Sequence, residues 1–221
     1  FDLKLHRKIL DSQDIKGAVV DIYLPICGEP FDIIRNTWIS VWHLREHTNR
    51  QGKITVLVHV LDDKPSEEAR STALGMGFNY ITRSSNELKK AGNLRNAFTQ
   101  TSGEFILILD ADFCPRPEFL DETLPYFKND PTVAIVQTPQ YFSWKQTYTW
   151  VQNGAGIIQE LFYRLIQVNR NSFNGSICVG TNAVYRRTAL VPFGGTAPMP
   201  YSEDVHTGFQ VITSGWRIAY I

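Results

Sequence analysis

The run Phe105-Ile-Leu-Ile-Leu-Asp110-Ala-Asp112 constrains this chain more than any other stretch. Five apolar residues, rich in β-formers, pass straight into two acids separated by a single alanine. Such a run predicts a buried central strand in a sheet covered on both faces. The acids then stand at the strand's carboxyl end, the edge where open α/β sheets bind their ligands. Two carboxylates with no basic residue beside them in sequence repel each other unless a cation lies between them. A hard divalent ion with oxygen ligands, Mg²⁺ or Mn²⁺, meets that demand and usually brings a substrate phosphate with it. For an isolated Asp-x-Asp the plainer alternative is a strand that ends in solvated acids, so the rest of the chain has to decide.

Strands and helices alternate around this run. Residues 18–24 predict a first strand stopped by Pro25. Cys27-Gly-Glu29-Pro30 predicts a turn, with Pro30 opening a helix over 31–47. Residues 53–61 predict a second buried strand that ends in Asp62-Asp63. Pro65-Ser-Glu-Glu opens a helix to residue 76, with acids in the first turn where the helix dipole favours them. A short third strand is expected at 77–82 and a helix over 89–101. Past Asp112 come a helix over 117–128 and a strand over 133–137. The back half is less regular. It predicts a long helical stretch over 148–169, a strand pair near 177–179 and 183–185, and a helical turn at 188–191. A last helix with Ser202 as its N-cap runs to 214, and a final strand covers 216–221. This alternation gives the α/β class, doubly wound in its front half. No repeat, linker or low-complexity tract divides the chain, so one domain over 1–221 is expected.

Bulk composition narrows the function classes. Lys+Arg and Asp+Glu both number 22, which leaves no basic footprint for nucleic acid and no polybasic membrane patch. The three cysteines, Cys27, Cys114 and Cys178, are far apart and in no Cys-x-x-Cys spacing, so neither a disulfide framework nor a zinc site is predicted. They suit a reducing compartment. No stretch approaches the roughly 20 apolar residues of a membrane-spanning helix, and the first residues show no signal-peptide core.

The acids are better placed than chance requires. Glu29 follows the first strand, Asp62-Asp63 close the second, and Asp110-x-Asp112 close the central one. Parallel strands present their carboxyl ends along one edge, so these acids are expected to line one crevice. Lys90-Ala-Gly-Asn93 opens a helix close by, and its backbone N–H groups and ammonium suit a diphosphate. A dinucleotide-binding fold is disfavoured, since no Gly-x-Gly-x-x-Gly follows the first strand.

Six motifs occur in order: Glu29, Asp62-Asp63, Lys90-Ala-Gly-Asn93, Asp110-Ala-Asp112, Val136-Gln-Thr-Pro139 and Ser202-Glu-Asp204. The array resembles the processive family 2 glycosyltransferases, and in particular the catalytic domain of bacterial cellulose synthase, from Val19 to Ile221. Tyr80-Ile-Thr-Arg83, Asn129-Asp-Pro131 and Gly215-Trp-Arg-Ile-Ala-Tyr-Ile221 add to the likeness. The resemblance implies a GT-A fold, a Rossmann-like, mixed but mostly parallel sheet with helices on both faces. It implies inverting transfer of a sugar, glucose from UDP-glucose first among the donors, to a growing β-glucan such as cellulose. Carried over by position, Glu29, Asp62 and Asp63 hold the nucleoside side. Lys90 and Asp110 hold the diphosphate, Asp110 and Asp112 hold Mg²⁺ or Mn²⁺, and Asp204 is the general base. Gln137, Cys178, Gly180 and Glu203 fall near the acceptor. The first half is thus expected to bind nucleotide and the second half acceptor.

The chain also departs from the pattern. Ile26-Cys-Gly-Glu29 stands where the family shows Thr-Tyr-Asn-Glu, and Phe113 stands where a histidine often follows Asp-x-Asp. The downstream Gln-x-x-Arg-Trp motif, which the family follows with membrane-spanning helices, is absent. The resemblance therefore implies an excised domain of a membrane protein, working at the cytoplasmic face of the inner membrane. Other UDP- or GDP-sugars and a lipid-phosphate acceptor stay open. So does a module that only binds nucleotide-sugar. The haloacid-dehalogenase phosphatases also carry Asp-x-Asp after a strand, but no later acidic pair here has their spacing.

Overall fold

The computed structural model describes residues 2–12, 15–141 and 149–221. In chain order its elements are α1 (Leu3–Ser12), β1 (Ala18–Ile26), α2 (Phe31–Gln51), β2 (Ile54–Asp62), α3 (Glu67–Gly75), β3 (Asn79–Thr82), α4 (Lys89–Gln100) and β4 (Phe105–Ile108). There follow α5 (Phe119–Asn129), β5 (Val133–Gln137), α6 (Trp150–Leu161), a π-helical turn (Phe162–Gln167), α7 (Val168–Ser172), β6 (Ala183–Arg186), α8 (Arg187–Leu190), α9 (Glu203–Thr213) and β7 (Arg217–Tyr220). The strands form one sheet in the order β3-β2-β1-β4-β6-β5-β7. β3, β2, β1 and β4 run parallel, β6 is antiparallel to both its neighbours, and β5 is parallel to β7.

β4 is the middle strand of the seven, as its apolar run predicts, and Phe105 to Leu109 are all buried. Side chains alternate between two cores. Val20, Ile22, Phe105 and Leu107 face α2, α3 and α5 around fully buried Trp38, while Tyr23, Leu61, Ile106 and Ile108 face α4, α8 and α9. Burying each such side chain contributes roughly 1.5–3 kcal/mol, which fixes the register and hence which strand ends meet.

Three expectations need correction. Pro25 does not stop β1, which continues to Ile26. Tyr23 accepts the Leu109 N–H (3.1 Å) on the β4 side, and Ile26 accepts the Asp63 N–H (3.0 Å) on the β2 side. Pro25 shares the side of Tyr23, and β4 has already ended at Ile108, so the missing donor breaks no ladder. Residues 177–179 form no strand. Side-chain amides replace the strand partner there: Gln167 donates to Ile177 O (2.7 Å) and accepts its N–H (2.9 Å), while Gln137 accepts the Val179 N–H (3.0 Å). Ser202 occupies the N-cap position of α9 but in the left-handed region (φ 52°), and its side chain makes no cap hydrogen bond.

The long helical stretch is present from Trp150, with its expected start at Tyr148 outside the described residues. It divides at the π-helical turn, where Tyr163 and Gln167 are the buried residues. Its apolar residues Val151, Ile157, Ile158, Leu161, Leu165 and Ile166 are exposed. Among the described residues no helix is long and apolar enough to cross a membrane.

A buried ion network ties the front of the sheet to the back. Asp21, fully buried on β1, accepts from Gly103 N–H (2.7 Å) and from Arg187 Nη2 (2.8 Å), and His59 Nε2 lies 3.0 Å away. Burial pushes the Asp21 pKa up, but hydrogen bonds from His59 and Gly103 and the charges of His59 and Arg187 outweigh it, so it lies below the usual value. A depressed carboxyl stabilises the fold above the unfolded-state pKa and loses that contribution as pH falls through its folded value. Asp21→Asn, which strands Arg187, is expected to destabilise by about 3–5 kcal/mol and to flatten the acid limb of the stability–pH curve. Urea unfolding between pH 7 and pH 3 measures both.

Candidate active site

The carboxyl ends of β2, β1 and β4 lie side by side, so the sheet order itself gathers the predicted acids. Asp62, the last residue of β2, is buried, accepting the Lys64 N–H (2.8 Å) and the Tyr80 hydroxyl (2.6 Å). Burial and then Asp62 push the Tyr80 hydroxyl up to about 12, so it stays a donor. Asp63 pairs bidentately with Arg83 (2.6 and 2.7 Å). Glu29, in the turn beyond β1, accepts the Cys27 N–H (2.7 Å). Asp110 and Asp112 lie just past β4, Asp110 partly exposed and Asp112 exposed. Thr37 of α2 donates to Ala111 O (2.7 Å), which pins the Asp-Ala-Asp turn to the first helical layer.

Arg83 had no role assigned from sequence, although an arginine directly after a strand at this edge is the signal that could have found it. Besides Asp63 it donates to Glu87 O (2.6 Å) and Lys89 O (2.7 Å). Those bonds hold Leu88 and Lys89 in consecutive left-handed conformations (φ 58° and 49°), a strained elbow for non-glycine residues. The elbow starts α4 and delivers Lys90, while Asn93, buried one turn on, donates to Leu61 O (2.9 Å) and fastens the helix to the end of β2. Gly92 sits beneath the elbow, where a Cβ would collide with Glu87 O and Arg83 Nη1. Gly92→Ala is therefore expected to cost about 1–3 kcal/mol, measured by chemical denaturation, through overpacking against a clamp that cannot move freely.

The decisive contact joins the two halves of the chain. Lys90 Nζ pairs with Asp110 Oδ1 and lies 3.8 Å from Glu203 Oε1. Glu203 and Asp204 open α9, so the strand-end acids and the helix-start acids share one region. Burial raises the Glu203 pKa, and Asp204 and Asp110 raise it further against the opposing pull of Lys90. A second route confirms the closeness. The Asp110 N–H donates to Thr181 Oγ1 (2.9 Å), and the adjacent Gly180 presses on Asp204, whose Cβ and Oδ2 lie 2.8 and 3.0 Å from where a Gly180 side chain would start. Gly180 has φ 75°, so both backbone and space require glycine there. The Asp204 carboxylate accepts the Val205 N–H (2.8 Å) and is partly exposed.

The remaining predicted acceptor residues lie underneath. Gln137 is fully buried and donates to Thr138 O and Thr181 O (both 3.0 Å) while holding Val179, so it shapes the 177–182 loop from below. Cys178 is buried with its sulfur 3.1 Å from the Tyr185 hydroxyl, and burial pushes the thiol up to about 12. Thr181 and Thr37, which position the Asp-Ala-Asp turn, are absent from the sequence-based set because each acts on a partner 71 or more residues away.

Among the described residues no group of three or more His, Cys, Asp or Glu side chains could hold a metal ion alone. Asp110 and Asp112 nevertheless suit a hard cation, since Asp110 already holds the ammonium of Lys90 as a stand-in. An ion there would complete its oxygen shell from a bound phosphate and water, which is how Mg²⁺ usually binds.

The profile of the family described as glycosyl transferase family 2 matches residues 21–191. A cellulose synthase catalytic subunit (UDP-forming) of Xanthomonas axonopodis pv. citri is 34% identical over 205 residues, covering 91% of this chain and 27% of its own length. Cellulose synthase 1 of Komagataeibacter xylinus is also 34% identical over 205 residues, 91% of this chain and 13% of its own. The chain thus spans about a quarter or less of these relatives. Among solved structures, a mannosyltransferase from Pyrobaculum calidifontis with GDP-Man and Mn²⁺ superposes with a TM-score of 0.68 at 17% identity, over 99% of this chain and 60% of its own. Glucosyl-3-phosphoglycerate synthase from Mycobacterium tuberculosis with Mn²⁺, UDP-glucose and phosphoglyceric acid gives 0.60 at 18%, over 100% and 73%.

Proposed function

Because the chain belongs to glycosyl transferase family 2 and has the GT-A fold, we propose that it is the catalytic domain of a UDP-forming transferase that adds glucose from UDP-glucose to a growing β-glucan, with inversion. The observation that carries this reading is the Lys90 ammonium between Asp110 and Glu203, with Asp204 alongside. One point then offers an anchor for a diphosphate and a carboxylate for an incoming hydroxyl. The cellulose synthase relatives support the glucan acceptor and the UDP-forming chemistry.

The roles are those the resemblance implies, and the proximity of Lys90, Asp110 and Glu203 supports them. Glu29, Asp62 and Asp63 line the nucleoside end, Asp63 through its hold on Arg83. Lys90 neutralises the diphosphate as the donor bond breaks. Asp110 and Asp112 would hold Mg²⁺ or Mn²⁺, which when bound stabilises charge on the leaving diphosphate. Asp204 takes the proton of the acceptor hydroxyl as it attacks the anomeric carbon from the face opposite the nucleotide, which inverts the centre. Gln137, Cys178 and Gly180 shape the loop against which the acceptor end rests, and Glu203 with Lys90 fixes the start of α9. In this reading the front half binds nucleotide and the back half acceptor, within one sheet. The exposed stripe of Trp150, Val151, Ile157, Ile158 and Leu161 supports a place beside membrane-embedded segments at the cytoplasmic face, as the resemblance implies.

Thermal melts test the donor half. UDP with Mn²⁺ is expected to raise the Tm by several degrees, and UDP with EDTA, or GDP with Mn²⁺, by much less. A larger response to GDP would move the donor to a GDP-sugar. No response to any nucleotide would remove the reading.

A further inference from the structure

The strand-end acids need a cation, and the chain supplies one of its own. Lys90 is delivered by the strained Leu88–Lys89 elbow, itself locked by Arg83 and Asp63, and its ammonium lies on Asp110 and faces Glu203. The protein alone gathers too few carboxylates for a metal among the described residues. The acid that would hold the ion therefore already carries an ammonium on one of its two oxygens.

Resting on the nucleotide-sugar reading above, we infer that Lys90 is a built-in counter-cation that keeps the metal site closed until a nucleotide diphosphate draws it away, so that metal and nucleotide load as a coupled pair. An ammonium and a divalent ion compete for Asp110 and repel each other at that distance. A diphosphate resolves the conflict from both sides. It offers Lys90 a new anionic partner, and it supplies the oxygen ligands that Asp110 and Asp112 lack for a complete shell. The coupling is reciprocal, since whatever nucleotide does for metal affinity metal must do for nucleotide affinity. The chain would then avoid holding a metal without a donor to act on.

The test is Mn²⁺ binding to the protein alone, followed by the EPR signal of the free ion, for the wild type, Lys90→Met and Lys90→Arg. UDP affinity with and without Mn²⁺ is measured by calorimetry alongside. In the wild type, Mn²⁺ is expected to tighten UDP binding by about 5- to 150-fold, the usual span of site–site coupling. Lys90→Met is expected to bind Mn²⁺ alone at least about fivefold more tightly than the wild type. Lys90→Arg, which keeps the charge, is expected to stay as weak as the wild type. The inference is overturned if Lys90→Met binds Mn²⁺ alone no more tightly than the wild type, or if Lys90→Arg tightens it as much as methionine does. Those outcomes leave the nucleotide-sugar reading standing when wild-type UDP binding still responds to Mn²⁺. If the wild type binds no UDP with or without the ion, that reading fails, and the inference with it.

Discussion

Asp204→Asn is expected to lower donor turnover by about 10²–10⁴-fold while leaving UDP affinity nearly unchanged. Asparagine keeps the shape of the side chain and can still accept the Val205 N–H, so α9 starts as before and Gly180 still packs against it. What it loses is the ability to take a proton from a sugar hydroxyl. The readout is slow hydrolysis of UDP-glucose or transfer to short β-glucan acceptors, beside a UDP titration. Glu203→Gln serves as the contrast. Glu203 faces Lys90 and is set back from solvent, so its loss is expected to weaken nucleotide binding more than the proton-transfer step. A drop in turnover for Glu203→Gln matching that of Asp204→Asn, with UDP affinity intact, would transfer the role of base to Glu203.

Asp112→Ala is expected to abolish the response of UDP binding to Mn²⁺ and to cut turnover by about 10³-fold. That corresponds to the several kcal/mol a metal contributes to stabilising charge in a transition state. Asp112 is exposed in the turn after β4, so its removal should change the stability of the free protein by no more than about 0.5 kcal/mol. Asp110→Ala is a less clean probe, because it also strands Lys90. A variant that keeps full metal-stimulated activity without Asp112 would place the ion elsewhere.

The sequence made the front half legible because its signals are local. Apolar runs of strand length ending in acids mark β1, β2 and β4, and parallel pairing then forces their ends onto one edge. The ordered motifs supplied Lys90 and Asp204 as partners of that edge. The contact between Lys90 and Glu203 spans more than a hundred residues, and no periodicity encodes it. The 177–182 loop misled for a related reason. Its apolar composition suits a strand, but the side chains of Gln137 and Gln167, from β5 and the π-helical turn, take up its backbone groups. Apolar spacing marks the 150–166 stretch as helical, yet Val151, Ile157, Ile158, Leu161, Leu165 and Ile166 are exposed while Tyr163 is buried. Periodicity reports that a helix has an apolar face and is silent about what that face meets. Arg83 went unassigned because its work is on the backbone of Glu87 and Lys89, which sequence does not display.

Where the ion and the diphosphate sit decides whether Asp204 can face an incoming hydroxyl. Crystals grown with UDP and Mn²⁺, with anomalous scattering recorded at the manganese edge, locate both directly. One manganese peak is expected at bonding distance from Asp112 or Asp110 and from the diphosphate, with Lys90 moved off Asp110 onto a phosphate oxygen and Asp204 facing the open side. Manganese and UDP bound away from the β4 end, or Asp204 turned to a different cavity from the bound diphosphate, would contradict this arrangement.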